Sequence, residues 1–148
     1  MMLSTLLTDD RITFADTLGW EEAIRRAAAP LVADGSVDTG YVDQIVTNVN
    51  EPGGTYMDLG FGITLAHARP EAGVNRTSVA LLLLARPTEL ADSPDHPVRA
   101  VVVLGATDSS SHQDTLADIA AMLTDEERRG ALLSSTTHAQ VRAVVDAA

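Results

Sequence analysis

The sequence predicts a layered α/β domain over residues 1–148, and three observations carry that prediction. Residues 78–85 and 98–106 are nearly continuous apolar runs of strand length, the pattern of strands covered on both faces. Around these runs, in 20–31, 41–49 and 116–123, apolar residues recur at helical spacing. The 148 residues are 45% apolar, which suits one domain with a sizeable core. With only 3% aromatics, that core must be built from Val, Leu, Ile and Ala.

In chain order, residues 1–10 read as a short lead-in. Residues 11–14 alternate and predict a first strand. Gly19-Trp20-Glu21-Glu22 opens a helix with acids in its first turn, and Trp20, Ala23, Ile24, Ala27, Ala28 and Leu31 form its stripe. Pro30 should kink or interrupt it, and Asp34-Gly35-Ser36 ends it. Asp38 is placed to cap a second helix carrying Tyr41, Val42, Ile45, Val46 and Val49, which Glu51-Pro52-Gly53-Gly54 breaks. Residues 56–59 and 62–66 then read as strands, followed by the two long apolar runs with a polar, Pro-containing loop over 86–97 between them. Ser111-x-x-Asp114 resembles a capping box in acid form ahead of Leu116, Ile119, Ala120 and Leu123. Thr124-x-x-Glu127 and Thr137-x-x-Gln140 each open a further helix, the last with Val141, Val144 and Val145 inside. Strands lying between helical pairs imply layers.

Composition narrows the chemistry. There is no cysteine, which removes disulfides, thiolate nucleophiles and Cys-ligated zinc together. Histidine is left as the side chain that readily forms a covalent intermediate at neutral pH, an activated Ser or Thr apart. Net charge is −11, and such a chain repels phosphate backbones, so nucleic acid is not an expected partner. The longest apolar run, residues 79–85, has seven residues against the ~18 a membrane span needs. Met1-Met2-Leu3-Ser4 lacks the basic start of a signal peptide, and a cytoplasmic protein without direct membrane insertion is expected. No His-x-His or His-x-x-x-His pair offers a metal site, no Gly-x-Ser-x-Gly elbow marks a serine hydrolase, and no Gly-rich loop cradles a nucleotide.

Two histidines have suggestive settings. His67 ends the apolar strand 62–66, with Arg69 and the chain-turning Pro70 beside it. A neutral imidazole is a good nucleophile, and a guanidinium suits phosphate oxygens. His112 follows the apolar run 101–105 and the turn 106–111, so it falls in the first turn of a helix, where the dipole favours an anion and Ser109, Ser110 and Ser111 add hydroxyls. Ligand sites in open α/β sheets lie beyond strand ends, so His67 and His112 share a pocket if those two ends are neighbours. A hydrogen-bonded structural role for His67, a helix-start role for His112, a turn role for the serines and a solvated Arg69 or an Arg69–Glu71 pair stay open. His96 reads as loop and His138 as surface.

The segment Gly62-Ile63-Thr64-Leu65-Ala66-His67-Ala68-Arg69-Pro70-Glu71-Ala72-Gly73-Val74 resembles the phosphohistidine segment of enzyme IIA of the bacterial sugar phosphotransferase system, in the type 2, fructose/mannitol family and its ascorbate-like branch. Residues 75–81 are similar too, and Asp108-Ser109-Ser110-Ser111-His112 looks like that family's second histidine segment. The resemblance covers about residues 20–133. It implies a central mixed sheet flanked by helices on both faces, and phosphoryl transfer without cofactor or nucleotide. A phosphorylated HPr or HPr-like protein would donate to Nε2 of His67. The phosphohistidine would then donate to a cysteine on an enzyme IIB, which works with a membrane IIC. His112 would be the supporting histidine and Arg69, Ser110 and Ser111 phosphate neighbours, and docking would bury an apolar rim near Ile63 or Leu65. Where the family usually has proline before the active histidine, this chain has Ala66; residues 57–61 differ from the family's turn, and residues 47–50 lack its basic residue. A regulatory module of the same fold, read by a partner through its phosphorylation state, is the alternative implied, and a domain that only binds proteins is a third.

Overall fold

The computed structural model describes residues 2–147; Met1, where the expected lead-in starts, and Ala148 lie outside them. The chain runs α1 (Met2–Leu6), β1 (Ile12–Ala15), α2 (Trp20–Ala33), α3 (Thr39–Asn50), β2 (Asp58–Gly60), β3 (Ile63–Ala66), β4 (Ser78–Glu89), β5 (Pro97–Gly105), α4 (Ser109–Thr124), α5 (Glu126–Leu133) and α6 (His138–Asp146). Short 3-10 turns lie at Asp9–Arg11, Gly54–Met57, Pro70–Ala72 and Leu90–Asp92.

The five strands form one mixed sheet in the order β1-β4-β5-β3-β2. β1 runs parallel to β4, β4 antiparallel to β5, β5 parallel to β3, and β3 antiparallel to β2. The pleat sends alternate side chains to opposite faces. From β4, Ala80, Leu82 and Leu84 join Val101, Val103 and Ala66 against α2 and α3. Val79, Leu81 and Leu83 join Ala100, Val102, Leu104, Ile63 and Leu65 against α1, α4, α5 and α6. Burial on both faces is why the two central strands read as unbroken apolar runs. Helices do flank both faces, as the resemblance implies.

Local details differ from the sequence reading. Residues 1–10 are not merely a lead-in: Leu3 and Leu7 are buried in the face beneath α4 and α6. Pro30 does not interrupt α2, which runs on to Ala33: having no N–H it gives up a single helical bond, and its carbonyl accepts the Asp34 N–H. Asp38 occupies the N-cap position of α3, but its carboxylate accepts Asn75 Nδ2 at 2.9 Å instead of a helix N–H. β4 continues through polar Arg86–Glu89, where its side chains leave the two-sided core. Asp108, not Ser111, caps α4, and Asp125, not Thr124, caps α5. Thr137 and Gln140 do form a capping box on α6.

β2 and β3 meet through a two-residue turn, Phe61-Gly62, with φ of 58° and 80°. Positive φ at both central positions is the type I′ geometry of tight hairpins. Glycine accepts it at no cost, whereas Phe61 is strained and projects into solvent, 65% exposed.

Candidate functional site

β3 and β5 are adjacent and parallel, with Ala66 opposite Val103, so both carboxyl ends reach the same edge of the sheet. His67 follows the end of β3. Past the end of β5, Asp108 caps α4 and His112 lies one turn into it. The two histidines therefore open onto one cleft of about 330 Å³, lined also by Tyr41, Glu71, Leu104, Thr107, Asp108 and Ser109. The strand-end rule places a ligand site there.

His67 is half-buried, and its Nδ1 lies 2.9 Å from the carbonyl oxygen of Leu65. A carbonyl only accepts, so Nδ1 carries the proton and Nε2 keeps its lone pair. Tyr41 braces the residue that follows. Its hydroxyl donates to Leu104 O at 2.6 Å and accepts the Ala68 N–H at 3.0 Å. Burial pushes the Tyr41 phenol up to about 12, against the opposing backbone hydrogen bond at Ala68, so it remains a neutral donor. The His67 ring meets the Tyr56 ring edge-on, centroids 5.9 Å apart at 84°.

The His112 ring is half-buried and has no hydrogen-bond partner among the described residues, while its backbone N–H donates to Asp108 O at 3.1 Å. Asp108 Oδ1 takes the Ser111 N–H at 2.7 Å. That bond to Ser111 holds its carboxyl below the usual carboxylate range. The N-terminus of α4 thus reaches the cleft with a carboxylate already on one of its donors.

The remaining expected site residues are placed differently. Arg69 does not line the histidine cleft. It is exposed, has no ion pair among the described residues, and borders a neighbouring cleft of about 570 Å³ with Gln44, Asn48, Glu71 and Ala72. Its charge thus stands beside the end of α3, where the family's basic residue is missing from the sequence. Ser111 is engaged with Asp108 and, at 2.9 Å, with Thr77 Oγ1; Ser110 is exposed, and Ser109 is the serine that lines the cleft. Ile63 and Leu65 are buried at 1% and 4% and form no rim; among the described residues the exposed large apolar side chains are Tyr56, Leu59 and Phe61. His96 Nδ1 pairs with Asp58 Oδ2 at 2.7 Å, and His138 Nε2 donates to Ile12 O at 2.9 Å, so neither is a free surface histidine.

Tyr56 was not singled out from sequence. Tyr41 was read as part of a helix stripe, Glu71 as a pair for Arg69 and Asp108 as the start of the second histidine segment, none with a role of its own in the cleft. A larger cleft of about 510 Å³ lies at the opposite end of the sheet, lined by Phe14, Leu83, Arg99 and Ser134 among others. Size does not make it the reactive site: its Ser134 and Ser135 hydroxyls donate to the Gly130 and Ala131 carbonyls, and its carboxylate, Asp16, is paired with Arg86.

A mixed α/β sheet with a carbonyl-fixed imidazole at parallel strand ends fits the class of phosphotransferase domains that work on histidine. The family model of the phosphoenolpyruvate-dependent sugar phosphotransferase system, EIIA 2, matches residues 5–148, and the chain belongs to that family. It is similar to the ascorbate-specific PTS system EIIA component of Shigella boydii, 31% identical over 133 residues, 89% of this chain and 86% of that protein. The component of the same name in Escherichia coli K12 is 30% identical over the same shares. Its fold matches the solution structure of the mannitol-specific cryptic phosphotransferase enzyme IIA of Escherichia coli, with TM-score 0.86 and 26% identity over 98% of both chains. No helix among the described residues is long and apolar enough to cross a membrane.

Proposed function

We propose that the chain acts in the cytoplasm, as one domain over its whole length, and carries a phosphoryl group on Nε2 of His67 during sugar uptake. Phosphorylated HPr or an HPr-like protein is the donor and a cysteine of an enzyme IIB the acceptor. The observation that carries this reading is the Nδ1–H bond to Leu65 O, which leaves Nε2 free on a residue that shares its cleft with His112. The Nε2 lone pair attacks phosphorus as the donor's N–P bond breaks and its electron pair returns to the donor imidazole. Nδ1 keeps its proton on Leu65 throughout. In the second step a partner thiolate attacks phosphorus and the Nε2–P bond breaks. The acceptor thiol must be the partner's, since this chain has no cysteine. His112, unpartnered across the cleft, supports the transferring phosphoryl oxygens. Tyr56, Leu59 and Phe61 supply the apolar docking surface.

The test is incubation with phosphoenolpyruvate, enzyme I and HPr, followed by intact mass under neutral conditions. A gain of one phosphate, lost in acid and absent from His67→Ala, is expected. His112→Ala should fold and transfer about 10²-fold more slowly, as when a charge-stabilising donor is lost. No gain beside an active control enzyme IIA, or labelling that survives His67→Ala, overturns the assignment.

A further inference from the structure

Tyr56 is 58% exposed, yet it is not loosely held. It rides on the Gly54–Met57 turn, whose next residue, Met57, is fully buried. The turn is pressed against the end of α3 so closely that a Cβ on Gly54 would collide with the carbonyls of Asn48 and Val49. Gly54 N–H donates to Glu51 O at 2.8 Å and Tyr56 N–H to Gly53 O at 3.2 Å, so backbone bonds fix the turn internally. This seat delivers the Tyr56 ring edge-to-face onto His67. Tyr56 does not line the cleft, whereas His67 and His112 do. The imidazole thus lines the cleft and is also touched by a phenol ring that the cleft does not include.

The Leu65 bond alone fixes one atom of the imidazole and leaves the ring free to rock about it. Ala66 puts no proline constraint on the backbone just before it. A second contact, ring against ring, restricts that rocking. We infer that Tyr56 is a positioning residue for His67, holding the imidazole so that Nε2 faces the cleft, and that it does so independently of any role in docking. This rests on the reading of His67 as the phosphoryl acceptor.

Phosphoramidate separates the two roles, because it needs no docked protein. Nε2 takes its phosphoryl group as the P–N bond breaks and ammonia leaves. Tyr56→Ala should slow phosphoramidate labelling of His67 about 3- to 10-fold, the scale of one aromatic contact. Tyr56→Phe, which keeps the ring, should restore the wild-type rate. Nitrogen NMR of the His67 ring should show the Nδ1–H tautomer losing its dominance in Tyr56→Ala and keeping it in Tyr56→Phe. Unchanged phosphoramidate labelling and an unchanged ring spectrum in Tyr56→Ala, with only a raised KM for phospho-HPr, would overturn positioning and leave docking. Labelling that survives His67→Ala would instead overturn the acceptor assignment, and the ring spectra would still decide whether Tyr56 orients the imidazole.

Discussion

Tyr41 joins three parts of the molecule through one oxygen: α3, on which it sits; Leu104 near the end of β5; and Ala68 just after His67. Its phenol is neutral in the fold, with its titration pushed from 10 up to about 12, chiefly by burial. A raised pKa means the fold favours the protonated form. That contribution is fully present below pH 10 and is lost as pH rises from 10 to about 12, amounting to about 2–3 kcal/mol. Tyr41→Phe removes the group and leaves the Ala68 N–H and Leu104 C=O without it, a cost of about 1–3 kcal/mol at neutral pH. Urea midpoints measured from pH 8 to 12 should therefore fall steeply above 10 for the natural chain, and the variant, lower at the start, should lack that component. Parallel curves would show that another group titrates there.

Gly54 belongs to the element scale, because it decides how closely a turn can sit on a helix end. Gly54→Ala forces the turn off α3; overpacking of this kind costs about 1–3 kcal/mol. The same shift carries Tyr56 away from His67, so phosphorylation should slow along with the fall in melting temperature. A variant that loses stability and labels at the natural rate would uncouple the turn from the site. Such tertiary seats are what the sequence could not display. The strands β4 and β5 were legible because burial on both faces leaves unbroken apolar runs, and α2 because its stripe spans three turns. α1 was not legible: five residues are too short for a period, and Leu3, Leu6 and, just past its end, Leu7 meet the core. The far end of β4 was lost because pairing with β5 resumes at Thr88 and Glu89, past a register shift, after the side chains have left the core. Both histidines could be placed at strand ends from the sequence, but only the parallel pairing of β3 with β5 brings those ends together. Arg69 stood close to His67 in sequence, yet the turn at Pro70–Ala72 sends it to the neighbouring cleft.

At the scale of the whole molecule, charge opposes the very product the site makes. The chain carries −11, and the histidine cleft already holds Glu71 and Asp108. A phosphoryl group adds about −1.5 to −2 more at neutral pH. Repulsion from the acidic surface therefore raises the free energy of the phosphorylated form relative to the free one, which favours onward transfer over storage. Salt screens this repulsion, with a Debye length of about 30 Å at 0.01 M and about 10 Å at 0.1 M. At a fixed ratio of phospho-HPr to this protein, the equilibrium fraction phosphorylated on His67 should rise as salt is raised across that range. Glu71→Gln removes the nearby charge without touching Nε2, so it should start from a higher fraction at low salt and rise less. A fraction indifferent to salt in both proteins would mean that the transferred charge is neutralised within the cleft, and would overturn the repulsion argument.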